Sequence, residues 1–194
     1  MRYQIQRSQT EIVKGSLTDI AKQTGASLAE TFLSADVIVL VDTSSSMQAM
    51  DAPGGKSRYD AACAELANLQ ATIPGKVAVI SFASTGDVIF CPNGQPFNLE
   101  GGTGLASALE FAKIADVPDM RFVVISDGQP DSEREALKVA ATYLNRIDTI
   151  FVGPEGDDRG RAFLTKLANA KGGQAVTADR VAQLSSKVQY LLAA

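Results

Sequence analysis

From residue 37 onward the chain alternates between two hydrophobic periods. Val37-Ile38-Val39-Leu40-Val41 is an unbroken aliphatic run, the pattern of a strand covered on both faces. Ser57 to Ile73 then places Ala62, Leu66, Leu69 and Ile73 on one helical face, and Pro74-Gly75 stops it. Lys76 to Phe82 holds a second buried run, Val77-Ala78-Val79-Ile80. The turn Ser84-Thr85-Gly86-Asp87 and the short Val88-Ile89-Phe90 predict a hairpin to an antiparallel edge strand.

The alternation continues. Gly104 to Ala115 predicts a helix with Leu105, Ala108, Leu109 and Ala112 on one side. Phe122-Val123-Val124-Ile125 is another doubly covered strand. Ser132-Glu133-Arg134-Glu135 has the form of a capping box, and Leu137, Ala140, Ala141 and Leu144 extend a helical face from it. Strand 149–152, helix 159–170, strand 174–177 and a last helix capped by Asp179, with Val181, Leu184, Val188 and Leu191 on its face, complete the series. Such alternation predicts an α/β, doubly wound, mostly parallel sheet with helices on both faces, joined by right-handed crossovers.

Residues 1–35 depart from this pattern and read as an N-terminal arm, with 36–194 as the domain proper. The arm holds a short alternating stretch at Tyr3-Ile5 and two short helical segments, Ser16 to Gln23, ending at Gly25, and Ser27 to Leu33. Its apolar residues Tyr3, Ile5, Leu17, Ile20, Leu28 and Phe32 need some surface to cover them. No long apolar run occurs in the first 35 residues, and the longest elsewhere fall far short of the ~20 residues of a membrane helix. The expectation is a soluble, cytoplasmic protein without membrane contact.

Composition then removes whole classes of chemistry. The 194 residues contain no histidine, so histidine bases, Ser/His/Asp triads and His-ligated metals are excluded. Two cysteines, Cys63 and Cys91, without a Cys-x-x-Cys, exclude the usual structural zinc site. They read as reduced thiols, Cys63 packed in its helix and Cys91 partly exposed before Pro92. A net charge of −4 and no basic stripe argue against nucleic acid as a partner.

In a doubly wound sheet, ligands sit beyond the carboxyl ends of the strands. Three loops there carry oxygen donors: Asp42-Thr43-Ser44-Ser45-Ser46-Met47, Gly101-Gly102-Thr103-Gly104 and Ser126-Asp127-Gly128. Taken singly, each is ordinary loop chemistry: Thr103 could cap the next helix and Asp127-Gly128 could be a turn pair. Together they offer two carboxylates and three hydroxyls, a donor set suited to a hard divalent cation. With so little negative charge around it, the ion would stay electrophilic toward one more anionic oxygen.

Asp42-Thr-Ser44-Ser-Ser46-Met47 resembles the D-x-S-x-S element of von Willebrand factor A domains, part of their metal-ion-dependent adhesion site. Gly101-Gly102-Thr103 and Ser126-Asp127-Gly128 resemble that site's threonine and aspartate elements. Phe151-Val152-Gly153 and the later Gly172-Gly173 resemble the family's late strand and glycine pair. The resemblance implies a six-stranded sheet with one antiparallel edge strand, and Mg²⁺ or Mn²⁺ at its top. Ser44 and Ser46 would ligate the ion directly. Thr103, Asp42 and Asp127 would do so directly or through water. It further implies a protein partner that presents an Asp or Glu to the ion, of which an AAA+ ATPase or a multi-subunit complex are family examples.

Three functions compete at this stage. The first is a metal-dependent protein-binding module, not an enzyme. The second is a structural subunit of a larger assembly with incidental metal. The third is a Mg²⁺-dependent phosphohydrolase, with an Asp after a buried strand as nucleophile. Against the third, Ser44 stands where such enzymes carry a second acid, and only Lys56 and Arg58 supply cations near the loops. Asp51 borders the site as a loop aspartate, and Asp157-Asp158 read as helix-capping residues rather than a second cation site.

Overall fold

The structure is a computed structural model that describes residues 11–52, 54–72 and 77–177. The strands are β1 (Val37–Asp42), β2 (Val77–Phe82), β3 (Val88–Phe90), β4 (Arg121–Ser126), β5 (Ile147–Phe151) and β6 (Ala175–Thr177). The helices are α1 (Leu17–Thr24), α2 (Leu28–Leu33), α3 (Arg58–Thr72), α4 (Leu105–Ala112), α5 (Glu133–Ala140) and α6 (Asp158–Asn169). The Tyr3-Ile5 stretch, the Pro74-Gly75 stop and the helix expected after Asp179 lie outside the described residues.

The strands form one sheet in the order β3-β2-β1-β4-β5-β6, with only the β2–β3 pair antiparallel. β1 and β2 are buried at every position, as their unbroken apolar runs predict. Alternate residues feed two cores. Ile38, Leu40, Ile80, Phe122 and Val124 pack with α4, α5 and α6 on one face. Val37, Val39, Val41, Val79 and Ile125 pack with Ala62, Leu66 and Leu69 of α3 on the other. The β1–β2 crossover therefore runs over one face and the connection into β4 over the opposite one, which makes the β1–β4 boundary the topological switch point.

Several local expectations are refined. Leu17, one of the arm residues expected to need a covering surface, is 1 % exposed and belongs to the same core as Ile38 and Leu40. The fully buried Ser16 caps α1 and bridges to Val77, the Val13 N–H donates to the Asn93 carbonyl, and Phe32 meets Phe90 edge-on at 5.2 Å. Residues 13–35 thus cover the β2–β3 edge of their own sheet. α2 starts at a full capping box between Ser27 and Glu30.

α5 stops at Ala140, and Leu144 is 72 % exposed rather than on a helical face. The reason is Asp116, whose carboxylate takes the backbone N–H groups of Leu144 and Asn145 and the Asn145 amide. Cys91 is buried, not partly exposed; its sulfur lies 3.4 Å from the Ser81 hydroxyl. Among the described residues no helix is long and apolar enough to cross a membrane.

Candidate metal centre

Asp42 is the last residue of β1, and Asp127 directly follows the neighbouring β4, so the switch point brings two acids to the same edge. Both are fully buried. Asp42 Oδ1 accepts the Ser44 N–H at 2.9 Å, which turns the chain sharply after the strand. Asp42 Oδ2 accepts the Ser126 hydroxyl at 2.6 Å, which ties β1 to β4. Ser126 Oγ in turn accepts the Gly128 N–H at 3.0 Å.

The turn continues as a short 3-10 segment, Ser45–Gln48. It places the Ser44 and Ser46 hydroxyls 3.1 Å apart, sharing one hydrogen bond. Met47 is fully buried in the core that holds Val41, Ala62 and Leu66. The alternation in Ser44-Ser45-Ser46-Met47 therefore divides hydroxyls on the rim from an apolar anchor beneath.

The glycine-rich loop is pinned to this turn. The Ser45 N–H donates to the Gly101 carbonyl at 2.9 Å, and the Gly101 N–H donates back to Ser45 Oγ at 2.8 Å. The Glu100 N–H donates to the Thr43 carbonyl. Thr103, 5 % exposed, does not cap α4; Gly104 holds that position without a side-chain bond. A Cβ on Gly104 would lie 2.6 Å from the Thr85 nitrogen, so only glycine lets the loop settle there. The Thr103 N–H donates to Asp131 Oδ1 at 2.9 Å, and the Asp131 N–H donates to the Thr103 carbonyl at 3.0 Å.

The Asp127-Gly128 loop is fixed from beneath by α6. Gly128 has φ 78°, and any Cβ on it would collide with the Gly160 carbonyl. Asp157 caps α6 through the Gly160 N–H at 2.9 Å and accepts the Gln129 side-chain amide at 2.7 Å.

One cation enters this edge. Arg58, at the start of α3, grips Asp51 with both branches of a fork, Nε to Oδ1 at 2.7 Å and Nη2 to Oδ2 at 2.8 Å. Its third nitrogen, Nη1, donates to Asp127 Oδ2 at 2.7 Å. The guanidinium holds the Asp51 carboxyl below the usual carboxylate range. Burial, aided by the like charge of Asp127, pushes the Asp42 carboxyl up to about 6, against the hydrogen bonds from Ser126 and Ser44.

Asp42, Ser44 and Ser46 thus form one hydrogen-bonded turn, joined to β4 through Ser126. Asp127 lies on the adjoining strand end, and Thr103 stands two residues beyond the pinned Gly101. Among the described residues no three His, Cys, Asp or Glu side chains gather to hold a metal, so a cation here relies on hydroxyls as well as the two acids. That oxygen-only donor set fits Mg²⁺ or Mn²⁺ better than a softer ion. Three contributors were not legible in the chain: Ser126 as the partner of Asp42, Asp131 as the anchor of Thr103, and Arg58 as the partner of Asp127. Only the position of Arg58 near the first loop hinted at its part.

No family model and no curated protein matches the chain. Solved structures do match in three dimensions. The manganese-loaded TRAP protein of Plasmodium vivax superposes with TM-score 0.54 at 16 % identity, covering 79 % of this chain and 72 % of that one. The SpRpn10 VWA domain superposes with TM-score 0.51 at 12 % identity, covering 73 % and 86 %. The fold is that of a von Willebrand factor A domain. A further A-domain protein, from Catenulispora acidiphila, gives TM-score 0.51 at 16 % identity; the match covers 78 % of this chain but 41 % of that one. At these identities the likeness is one of fold.

Proposed function

We propose that this A-domain fold serves as a divalent-metal-dependent protein-binding module of the cytoplasm rather than as an enzyme. The observation that carries the reading is the junction of three oxygen-bearing loops at the β1–β4 switch point, locked by the Asp42–Ser126 and Ser45–Gly101 hydrogen bonds. Ser44, Ser46 and Thr103 would hold Mg²⁺ or Mn²⁺ through hydroxyls, with Asp42 and Asp127 contributing charge directly or through water. When bound, such an ion supplies an electrophilic centre for one outside carboxylate oxygen. The manganese carried by the TRAP structure supports metal binding on this fold.

The chain's own residues do the rest. Asp42 braces the turn that presents Ser44 and Ser46. Asp131 sets the backbone of Thr103, and Gly104 lets that loop approach the β2 end. The partner is a protein presenting an Asp or Glu. A binding role also agrees with the lack of histidine and with a guanidinium already committed to two carboxylates.

The test is co-purification from native extract of the wild type, Ser44→Ala, Thr103→Ala and Asp42→Ala, each checked for folding by circular dichroism. Removing one member of a desolvated charge contact costs about 2–5 kcal/mol, so the variants and EDTA-treated wild type should lose the partner, and Mg²⁺ or Mn²⁺ should restore it to the treated wild type. With a Kd of about 1 mM, 10 mM Mg²⁺ should stabilise the wild type by about 1.4 kcal/mol. Equal partner yield from all samples would replace this reading with a structural subunit whose metal is incidental.

A further inference from the structure

Arg58 holds three hydrogen bonds to two acids, and only one of those acids is needed to anchor it. The fork on Asp51 fixes the guanidinium plane, so its third nitrogen is delivered to Asp127 without further freedom to lose. The Asp127 side chain is fully buried and that of Arg58 is 10 % exposed, so water screens this contact little. An arginine stays charged under all ordinary conditions. Asp42, the other acid of the edge, has both oxygens engaged by Ser44 and Ser126. Any cation arriving at the rim therefore meets Asp127 already shared with a fixed positive charge.

We propose that Arg58 is a resident counter-cation for Asp127 that competes with a divalent ion and so sets the metal affinity of the site. This rests on the metal-binding reading above and adds to it the residue that tunes the ion. In the metal-free protein Arg58 neutralises a buried carboxylate that would otherwise be costly, which lets the domain fold without metal. In the loaded protein it remains as a repulsive neighbour, and the site takes its ion weakly and reversibly. Asp51 acts in the opposite sense: it offsets the guanidinium charge from the exposed side, where its side chain is 41 % accessible.

The two residues give variants of opposite sign. Mn²⁺ alone is the probe, and the free ion is followed by its electron paramagnetic resonance signal. Arg58→Gln should bind Mn²⁺ about tenfold more tightly than the wild type, and Arg58→Lys, which keeps the charge, should stay within about threefold. Asp51→Asn should bind several-fold more weakly. A second readout needs no metal: the metal-free Tm of Arg58→Gln should fall by several degrees, and saturating Mn²⁺ should recover more of it than it adds to the wild type. Should Arg58→Gln fail to fold, Asp51→Asn still decides, because unchanged or tighter Mn²⁺ binding there overturns the proposal. A folded Arg58→Gln with wild-type or weaker affinity also overturns it, while metal binding by the wild type stands. If the folded wild type and all three variants take up no Mn²⁺ at tens of millimolar, the metal reading falls and this inference with it.

Discussion

The Ser126 hydroxyl lies 2.6 Å from Asp42 Oδ2, a hydrogen bond between the ends of two adjacent parallel strands 84 residues apart in sequence. It joins β1 to β4 at the switch point and keeps a fully buried carboxylate partnered. Ser126→Ala removes that donor and also strands the Gly128 N–H. A buried group left without its partner costs about 1–3 kcal/mol, and urea unfolding should show a loss of that size. A loss under about 0.5 kcal/mol would mean the carboxylate is satisfied another way.

Gly128→Ala should be costly without touching any side-chain contact. The residue has φ 78° and its α-carbon faces the Gly160 carbonyl, so the new methyl must displace α6 or the Asp127 loop. A destabilisation of at least about 2 kcal/mol is expected from strain plus displacement. Alanine at Gly156, where nothing lies within 4 Å of the added carbon and φ is not in the left-handed region, is the control and should be near neutral.

Leu17→Ala tests how firmly the N-terminal segment belongs to the folded unit. The side chain is 1 % exposed and packs in the same core as Ile38 and Leu40, so truncation should cost about 2–5 kcal/mol in urea unfolding. Leu33→Ala, in the same segment but 73 % exposed, should cost almost nothing.

Glu65 gives a pH dependence whose sign is fixed. It is 7 % exposed on α3, its Oε2 has no hydrogen-bond partner among the described residues, and burial pushes its carboxyl up to about 7. A folded pKa raised above the unfolded value means that the folded state holds the proton more tightly. The stabilisation is complete below the ordinary glutamate value of 4.5 and is lost as pH rises through about 7. Glu65→Gln should remove this dependence and be more stable than wild type at pH 8, by on the order of 1–3 kcal/mol. Parallel pH–stability curves for the two proteins would refute the assignment.

The chain by itself determined the alternation of strands and helices, because strands covered on both faces must be apolar at every position and helices must carry a periodic face and a cap. Val37–Val41, the Asp157 cap and the positions of Asp42, Ser44, Ser46, Thr103 and Asp127 at loop beginnings all follow from such local rules. What only the tertiary structure decided depends on partners far along the chain. Asp116 holds the chain that follows α5 by taking amides 28 and 29 residues away, and Arg58 meets Asp127 at a separation of 69. Leu17 is buried because the β2–β3 edge and its following loop offer it a place, with Thr18 bonded to Asn93 beside it. Hydrophobic period and capping are written in neighbouring residues. Hydrogen-bond partners across a sheet edge are set by strand order and by which face each crossover covers, so they exist only once the sheet is assembled.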